Sequence, residues 1–233
     1  MAFAMKDLFA RPRELPAREA YALWAESYPA RPHNPVMAAE QSIVAPLLCS
    51  AGAQAALDLG TGSGRNLPFL RAGARFAVGL DFSMAMLDRR DDGWPRVCGD
   101  ARCLPFSDAR FELISSSLMA GDVNHLDEWL REIARVLKPA GQLVYSDFHP
   151  TWAAERWRRT FRGADGALHA IGYFPHSIAD HLAALAAAGL VVRAIREPRA
   201  RIAPLRRFGL SAGRRSDAPV VVVFHAVKPR RRR

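Results

Sequence analysis

Residues 56–66 read Ala-Leu-Asp-Leu-Gly-Thr-Gly-Ser-Gly-Arg-Asn. An apolar run ends on an acid, Asp58, and three glycines, Gly60, Gly62 and Gly64, then alternate with small residues. Glycines in such a turn let a ligand approach the bare backbone and permit dihedrals closed to other residues. A dinucleotide fingerprint needs G-x-G-x-x-G, with a pyrophosphate on the following helix N-terminus. Here the spacing is G-x-G-x-G, Arg65 stands where the third glycine would be, and Asp58 would face the pyrophosphate. The same carboxylate favours a ligand that carries an ammonium group. A second acid, Asp81, closes the next apolar run, Phe76–Asp81. An acid at that place accepts hydrogen bonds from ribose hydroxyls, a need shared by NAD and other adenosine cofactors.

The elements that must position these residues follow from the alternation around them. Strand-like runs occur at Ala55–Leu59, Phe76–Asp81, Phe111–Ser116 and Gln142–Phe148. Helical periodicity separates them, clearest in Leu126–Leu137, where Leu126, Leu130, Ile133, Ala134 and Leu137 share one face. Strands alternating with helices imply a parallel α/β sheet covered on both sides, with the ligand beyond the carboxyl ends of the strands. Residues 14–50 read as one or two helices broken by Pro29, Pro32 and Pro35.

Composition narrows the class. The 233 residues are half apolar, enough for one generous domain. No basic, apolar and small-residue series at the N-terminus reads as a secretory signal, and the apolar runs are too short to span a bilayer. Three scattered cysteines, Cys49, Cys98 and Cys103, fit a reducing cytosol better than disulfides or a zinc site, so no metal is expected. Cys98 and Cys103 read as small core residues. The net charge of +10 invites a nucleic-acid reading, but four of the arginines form the terminal run Arg230–Arg233, and a solvated basic surface is the preferred account.

The ordered segments D-L-G-T-G-S-G, V-G-L-D-F-S-M-A-M-L, C-G-D-A-R-C-L-P-F-S-D-A-R-F-E-L-I and L-R-E-I-A-R-V-L-K-P-A-G-Q-L-V resemble the successive motifs of class I S-adenosylmethionine-dependent methyltransferases. Within them the sequence is similar to the group containing the ubiquinone and menaquinone enzymes. The resemblance covers about residues 20–227. It implies a Rossmann-like, doubly wound, seven-stranded sheet of order 3-2-1-4-5-7-6 with the last strand antiparallel, Val191–Glu197 and Pro219–Val227 being the last two strands. A single domain is expected: an N-terminal helical lid (1–50), a cofactor-binding core (51–148), a substrate-side insert and helix (149–188), a closing hairpin (189–228) and a basic tail (229–233).

The resemblance also implies roles. The cofactor is S-adenosylmethionine and the product S-adenosylhomocysteine. Gly60, Thr61, Gly62 and Gly64 would lie against its methionine and ribose, and Asp58 would hold the amino group. Asp81 would take the ribose, Phe82 and Met86 the adenine face, and Asp100 and the Ala101 amide the adenine edge. Ser117 would line the sulfonium, and Arg65 either reaches the methionine carboxylate or is a solvated arginine. Ala140 stands where the family usually has a second glycine. N-P-P-Y, the paired glutamates of protein arginine enzymes and a Pro-Cys nucleophile are missing, which argues against those acceptor classes.

Acceptor recognition is expected from two aromatic stretches, because rings supply contact area with few torsions to freeze. One carries Tyr21, Trp24, Tyr28 and His33; the other, residues 149–175, carries Trp152, Trp157, Phe161, Tyr173 and Phe174. His149, just past the fifth strand, is the preferred general base, with Asp147 behind it and Tyr173, His176 and His125 as other candidates. The reading is a cytosolic, metal-independent enzyme that methylates a small, aromatic or quinone-like molecule at O, N or C. Its rivals are an RNA or ribosome methyltransferase and a cofactor-binding protein without catalysis. Nucleic acid and membrane are not expected partners, and the sequence leaves oligomeric state open.

Overall fold

The computed structural model describes residues 12–29, 31–89, 93–154, 158–164, 166–200 and 219–230. Trp157 and most of the terminal arginine run lie outside them. In chain order the elements are β1 (Arg13–Leu15), α1 (Ala17–Trp24), α2 (Pro35–Cys49), β2 (Ala53–Leu59), α3 (Leu67–Gly73), β3 (Ala74–Asp81), α4 (Met84–Leu87), β4 (Arg96–Cys98), β5 (Phe111–Ser116), α5 (Leu126–Val136), β6 (Leu137–Phe148), α6 (Thr151–Ala154), β7 (Arg159–Arg162), β8 (Leu168–Ile171), α7 (Ile178–Ala187), β9 (Val191–Arg196) and β10 (Val221–Val227).

Seven strands form one sheet in the order β4-β3-β2-β5-β6-β10-β9. Counted along the sheet's own strands this is 3-2-1-4-5-7-6, and β10 runs antiparallel to both neighbours, as expected. The sheet's period of two divides the core. On β10, Val222, Phe224 and Ala226 join the layer under α5 and α7 with Leu57, Trp129, Ile133 and Tyr145. Val221 and Val223 join the opposite layer under α2 and α3 with Val44, Leu48, Leu70 and Val144. A strand buried on both faces reads as a continuous apolar run, which is why Val220–Phe224 carries no polar residue.

Helix boundaries follow local chemistry. The Asn34 side chain accepts from the Met37 amide at 2.9 Å, and Pro35 occupies the first turn of α2, where its missing N–H costs nothing. Helix α5 places Asp127 and Glu128 in its first turn and Arg135 in its last, both favourable to the helix dipole. It buries Leu126, Trp129, Leu130, Ile133 and Ala134 along one stripe.

The N-terminal segment holds two helices, α1 and α2, with Pro29 and Pro32 between them and Pro35 opening the second, and it adds a strand that was not expected. A second sheet, β1-β8-β7, joins the N-terminus to the insert, with Arg13 opposite His169 and Leu15 opposite Ile171. Leu15, Ala20, Phe161 and Ile171 form its small core, with Tyr21 and Trp24 packed against it. The expectation for Cys98 and Cys103 is also corrected: both are exposed, as is Cys49. Cys98 ends an edge strand, and Cys103 follows it in a surface turn.

Ala140 sits at φ +66°, the left-handed region, with its N–H donated to the Lys228 carbonyl at 2.8 Å. A β-carbon costs roughly 1–2 kcal/mol there, offset in part by the extra unfolded-state entropy of a glycine. Ala140→Gly should therefore stabilise the fold by roughly 0.5–1 kcal/mol, read as a higher urea midpoint with an unchanged slope.

Candidate functional site

The glycine loop leaves β2 and folds back over the end of β3. Gly60 and Thr61 both donate their amides to the Leu80 carbonyl, at 2.8 and 3.0 Å. Gly60, Gly62 and Gly64 all have positive φ. At Gly60 space also decides the residue, since a β-carbon would stand 2.4 Å from Met119 Sδ. Asp81 anchors the loop: its Oδ2 accepts the Gly62 amide at 2.7 Å and its Oδ1 the Ser83 amide at 2.9 Å. Ser83 in turn caps α4, which carries Met86.

Two further buried acids frame the loop. Asp58 accepts hydroxyl donations from Thr61 at 2.7 Å and Ser115 at 2.5 Å. Glu40, fully buried on α2, pairs with Arg65 at 2.8 Å and accepts from the hydroxyls of Ser117 at 2.5 Å and Ser146 at 2.9 Å. Asn66 donates to Ser117 at 2.7 Å, so the first helix-side turn, α2 and the ends of β5 and β6 share one polar network. Nothing in the sequence pattern points to Glu40 except its acid type on an otherwise apolar helix.

One cavity opens between this loop and the lid. Tyr21, Trp24, Tyr28, His33, Asp58, Gly60, Thr61, Gly62, Arg65, Asp81, Phe82, Met86 and Ser117 all border it, so thirteen of the residues singled out in sequence meet in one place. The lid contributes an aromatic group, with Trp24 edge-on to Tyr28 at 4.7 Å, stacked on Phe161 at 5.0 Å, and Tyr21 edge-on to Phe82 at 6.3 Å. Sequence reasoning missed Asp122 and Arg159, which also border it. The Ser-Ser-Ser-Leu-Met-Ala-Gly-Asp stretch after β5 held the signal, an acid just past the carboxyl end of a central strand. Leu118, at φ +55° and held by the Ser146 carbonyl and hydroxyl, turns the chain so that Met119 packs on Gly60 and Asp122 reaches the cavity.

The remaining sequence candidates do not border it. Asp100 is half-exposed and bound by the Arg102 side chain at 2.7 Å, which holds its carboxyl below the usual range. Ala101 packs against the core, Gly64 donates its amide to Thr61, and Trp152 packs on Phe148 at 5.3 Å. The Arg159 guanidinium lies over the Tyr173 ring, 5.8 Å from its centre. His149 corrects the expectation most sharply. Its Nε2 lies 2.8 Å from Glu197 Oε1 and its Nδ1 2.9 Å from Thr151 Oγ1. β6 ends at Phe148, and the imidazole meets Glu197, just past the end of β9. Asp147 does not orient it: that carboxylate accepts the Gly121 amide at 3.2 Å and lies 3.4 Å from His181 Nε2.

The electrostatics select the charge of the ligand. Burial, aided by Asp122 and Asp58, pushes the Asp81 carboxyl up to about 6 against the pull of the Ser83 and Gly62 amides. Burial also raises Asp58, opposed by the Ser115 and Thr61 hydroxyls. Each arginine at the cavity already has its own acid: Arg65 has Glu40, Arg159 has Asp122 and Arg158 has Glu14. Among the described residues neither Asp58 nor Asp81 has an ion pair of its own, although Arg65 pulls Asp58 down from a distance, so the loop end of the cavity suits a positively charged ligand. The Arg65–Glu40 pair itself is a structural dependency, because removing one buried partner strands the other. Glu40→Ala should cost about 3–5 kcal/mol in urea unfolding.

Comparison with known proteins agrees with this geometry. Residues 57–145 match the family model described as a methyltransferase domain. The demethylmenaquinone methyltransferase of Streptomyces avermitilis is 43% identical over 109 residues, 45% of this chain and 47% of that protein. The bifunctional biotin biosynthesis protein BioHC of Cellvibrio japonicus is 32% identical over 48% of this chain and 23% of its own length. The chain thus spans about half the length, 47%, of the demethylmenaquinone relative it matches. Among solved structures, an S-adenosylmethionine dependent methyltransferase from Mesorhizobium loti superposes with TM-score 0.62 at 24% identity, covering 81% of this chain and 97% of that one. The [4+2]-cyclase SpnF superposes with TM-score 0.65 at 18% identity, over 95% and 100%. These two likenesses speak for the fold alone. The match to a methyltransferase domain thus spans the glycine loop and β2 to β6, and the 3-2-1-4-5-7-6 sheet is the one the sequence resemblance implies.

Proposed function

We propose that the protein transfers a methyl group from S-adenosylmethionine to a small, flat acceptor of aromatic or quinone-like character. One observation carries this reading: the glycine loop, its two acids and the aromatic lid face one another across a single cavity. The two acids also fit the cofactor, which brings an ammonium and a sulfonium. The names of the demethylmenaquinone methyltransferase relatives support a ring acceptor.

Each residue's part follows from its position. Asp81 has two oxygens already engaged by amides, and each keeps an acceptor site for a ribose hydroxyl. Asp58, fixed by two hydroxyls, faces the amino group, and Arg65 faces the carboxylate while Glu40 holds its guanidinium in place. Phe82 and Met86 cover the adenine. The cofactor supplies an activated methyl whose sulfonium loses its charge on transfer. Tyr21, Trp24, Tyr28 and His33 stack against the acceptor, exclude water and hold the reacting atoms in line, which is the main demand of this chemistry.

Calorimetry tests the reading. S-adenosylhomocysteine should bind in a one-to-one complex and NAD should not. Asp81→Ala should lose roughly 1–3 kcal/mol of that binding, the worth of hydrogen bonds to a charged acceptor. The affinity should also depend on pH with a definite sign. Asp81 titrates near 6 in the free protein, and only its ionised form accepts from both hydroxyls. Binding should hold steady above that value and fall below it by up to about tenfold per pH unit, and Asp81→Asn should flatten the profile. His149→Ala gives a separate check. With its ring turned to Glu197, kcat should stay within about threefold of wild type, against the 10²–10⁴ loss that removal of a general base brings.

A further inference from the structure

The cofactor reading leaves two buried charged residues of the cavity without a task. Asp122 follows β5 and Arg159 begins β7; both are buried and ion-paired, with side-chain exposures of 6% and 11%. Arg159 lies over the rings of Phe148, at 5.4 Å, and Tyr173, at 5.8 Å. It also donates to the Gly172 carbonyl at 3.3 Å. The Tyr21 hydroxyl donates to Asp122 Oδ2 at 3.3 Å, and Arg159 holds Oδ1. A buried ion pair adds little stability over an apolar pair of the same volume, so its presence at the cavity wall asks for another reason. Burial raises the Asp122 carboxyl against the pull of Arg159, the direction that suits a proton acceptor.

We infer, on the basis of the methyltransferase reading, that Asp122 is the residue that takes the acceptor's proton, with Tyr21 and Arg159 holding its carboxylate, and that the acceptor is an uncharged ring bearing an O–H or N–H group. Asp122 Oδ2 carries only the long Tyr21 bond and keeps a lone pair for the acceptor's hydrogen. In the step, the acceptor's O–H or N–H bond breaks and its proton passes to Asp122. The freed pair forms the new bond to the methyl carbon, while the pair of the broken carbon–sulfur bond stays on sulfur and cancels its charge. The Arg159 guanidinium, against the same carboxylate, steadies the negative charge that passes across the group. The arginine pairing sets the acceptor's charge. Since Arg65, Arg158 and Arg159 each hold an acid, the described residues of the cavity offer no further cation for a carboxylate acceptor. Bringing one in would add an anion near Asp122 and Asp81 with no further described cation to offset it.

The test uses naphthol and naphthoate, equal in rings and different in charge, with S-adenosylhomocysteine binding measured first. Absence of that binding in wild type would sink the methyltransferase reading itself. With the complex formed, wild type should bind naphthol at least about tenfold more tightly than naphthoate and should methylate it from S-adenosylmethionine. Equal or tighter naphthoate binding, no naphthol binding, or binding without transfer would overturn the inference. Asp122→Asn should bind S-adenosylhomocysteine as wild type does yet transfer about 10²–10⁴-fold more slowly; a rate near wild type would overturn it. Should the Asn variant fail to fold, Asp122→Glu keeps the charge opposite Arg159 while displacing the carboxylate. It should bind S-adenosylhomocysteine normally and lose at least about tenfold in rate, and an unchanged rate would count against Asp122 equally.

Discussion

The Asp81 carboxylate is the constraint around which the site is built. It is a buried acid whose donors among the described residues are two backbone amides, Gly62 on the loop and Ser83 ahead of α4. To supply the first, the chain must turn back over β3 within a few residues of leaving β2. That turn requires positive φ at alternate residues, and the glycines follow from it. Carrying a charge out of water at this point is costly, which shows in the upward push on the carboxyl. In a folded protein such a cost persists where a ligand relieves it, and the hydroxyls and positive charge of an adenosyl sulfonium cofactor would do so.

The rest of the architecture serves to close a cavity over that carboxylate. The sheet order brings β2 beside β3 and β5, so Asp58, Asp81 and the turn holding Asp122 emerge along one edge. The lid is assembled from the N-terminal segment and the insert after β6, since β1 pairs with β8 and α1 packs on the resulting sheet. Arg159 on β7, Tyr21 on α1 and Asp122 on the core then meet at one ion pair. Lid and core are therefore fastened at one wall of the cavity, and an acceptor bound there would touch the residues that hold the lid in place.

Much of this was legible in the sequence where the chemistry is local. The loop, Asp58 and Asp81 lie within one strand–turn–helix–strand unit, and their spacing carries its own geometric reason. Strand order and the antiparallel β10 followed from the ordered motifs. What stayed hidden depends on contacts distant along the chain. Glu40 acquires its role only when α2 packs beside Arg65, Ser117 and Ser146. Strands β1, β7 and β8 are three or four residues long, too short for alternation to register, and β1 finds its partner far along the chain. For His149 the strand end fixed the place but not the direction of the ring, whose partner Glu197 lies 48 residues further along the chain. Cys98 and Cys103 were misread for a similar reason: residue type favours burial, but an edge strand and its following turn put both at the surface.

If one cavity holds the cofactor by Asp81 and presents its sulfur toward Asp122, a crystal structure of the protein with S-adenosylhomocysteine will show it. Both ribose hydroxyls should lie within hydrogen-bond distance of the Asp81 carboxylate, and the sulfur should point at the Tyr21–Asp122–Arg159 wall. A ribose held elsewhere, or a sulfur turned toward His149 and away from Asp122, would contradict it.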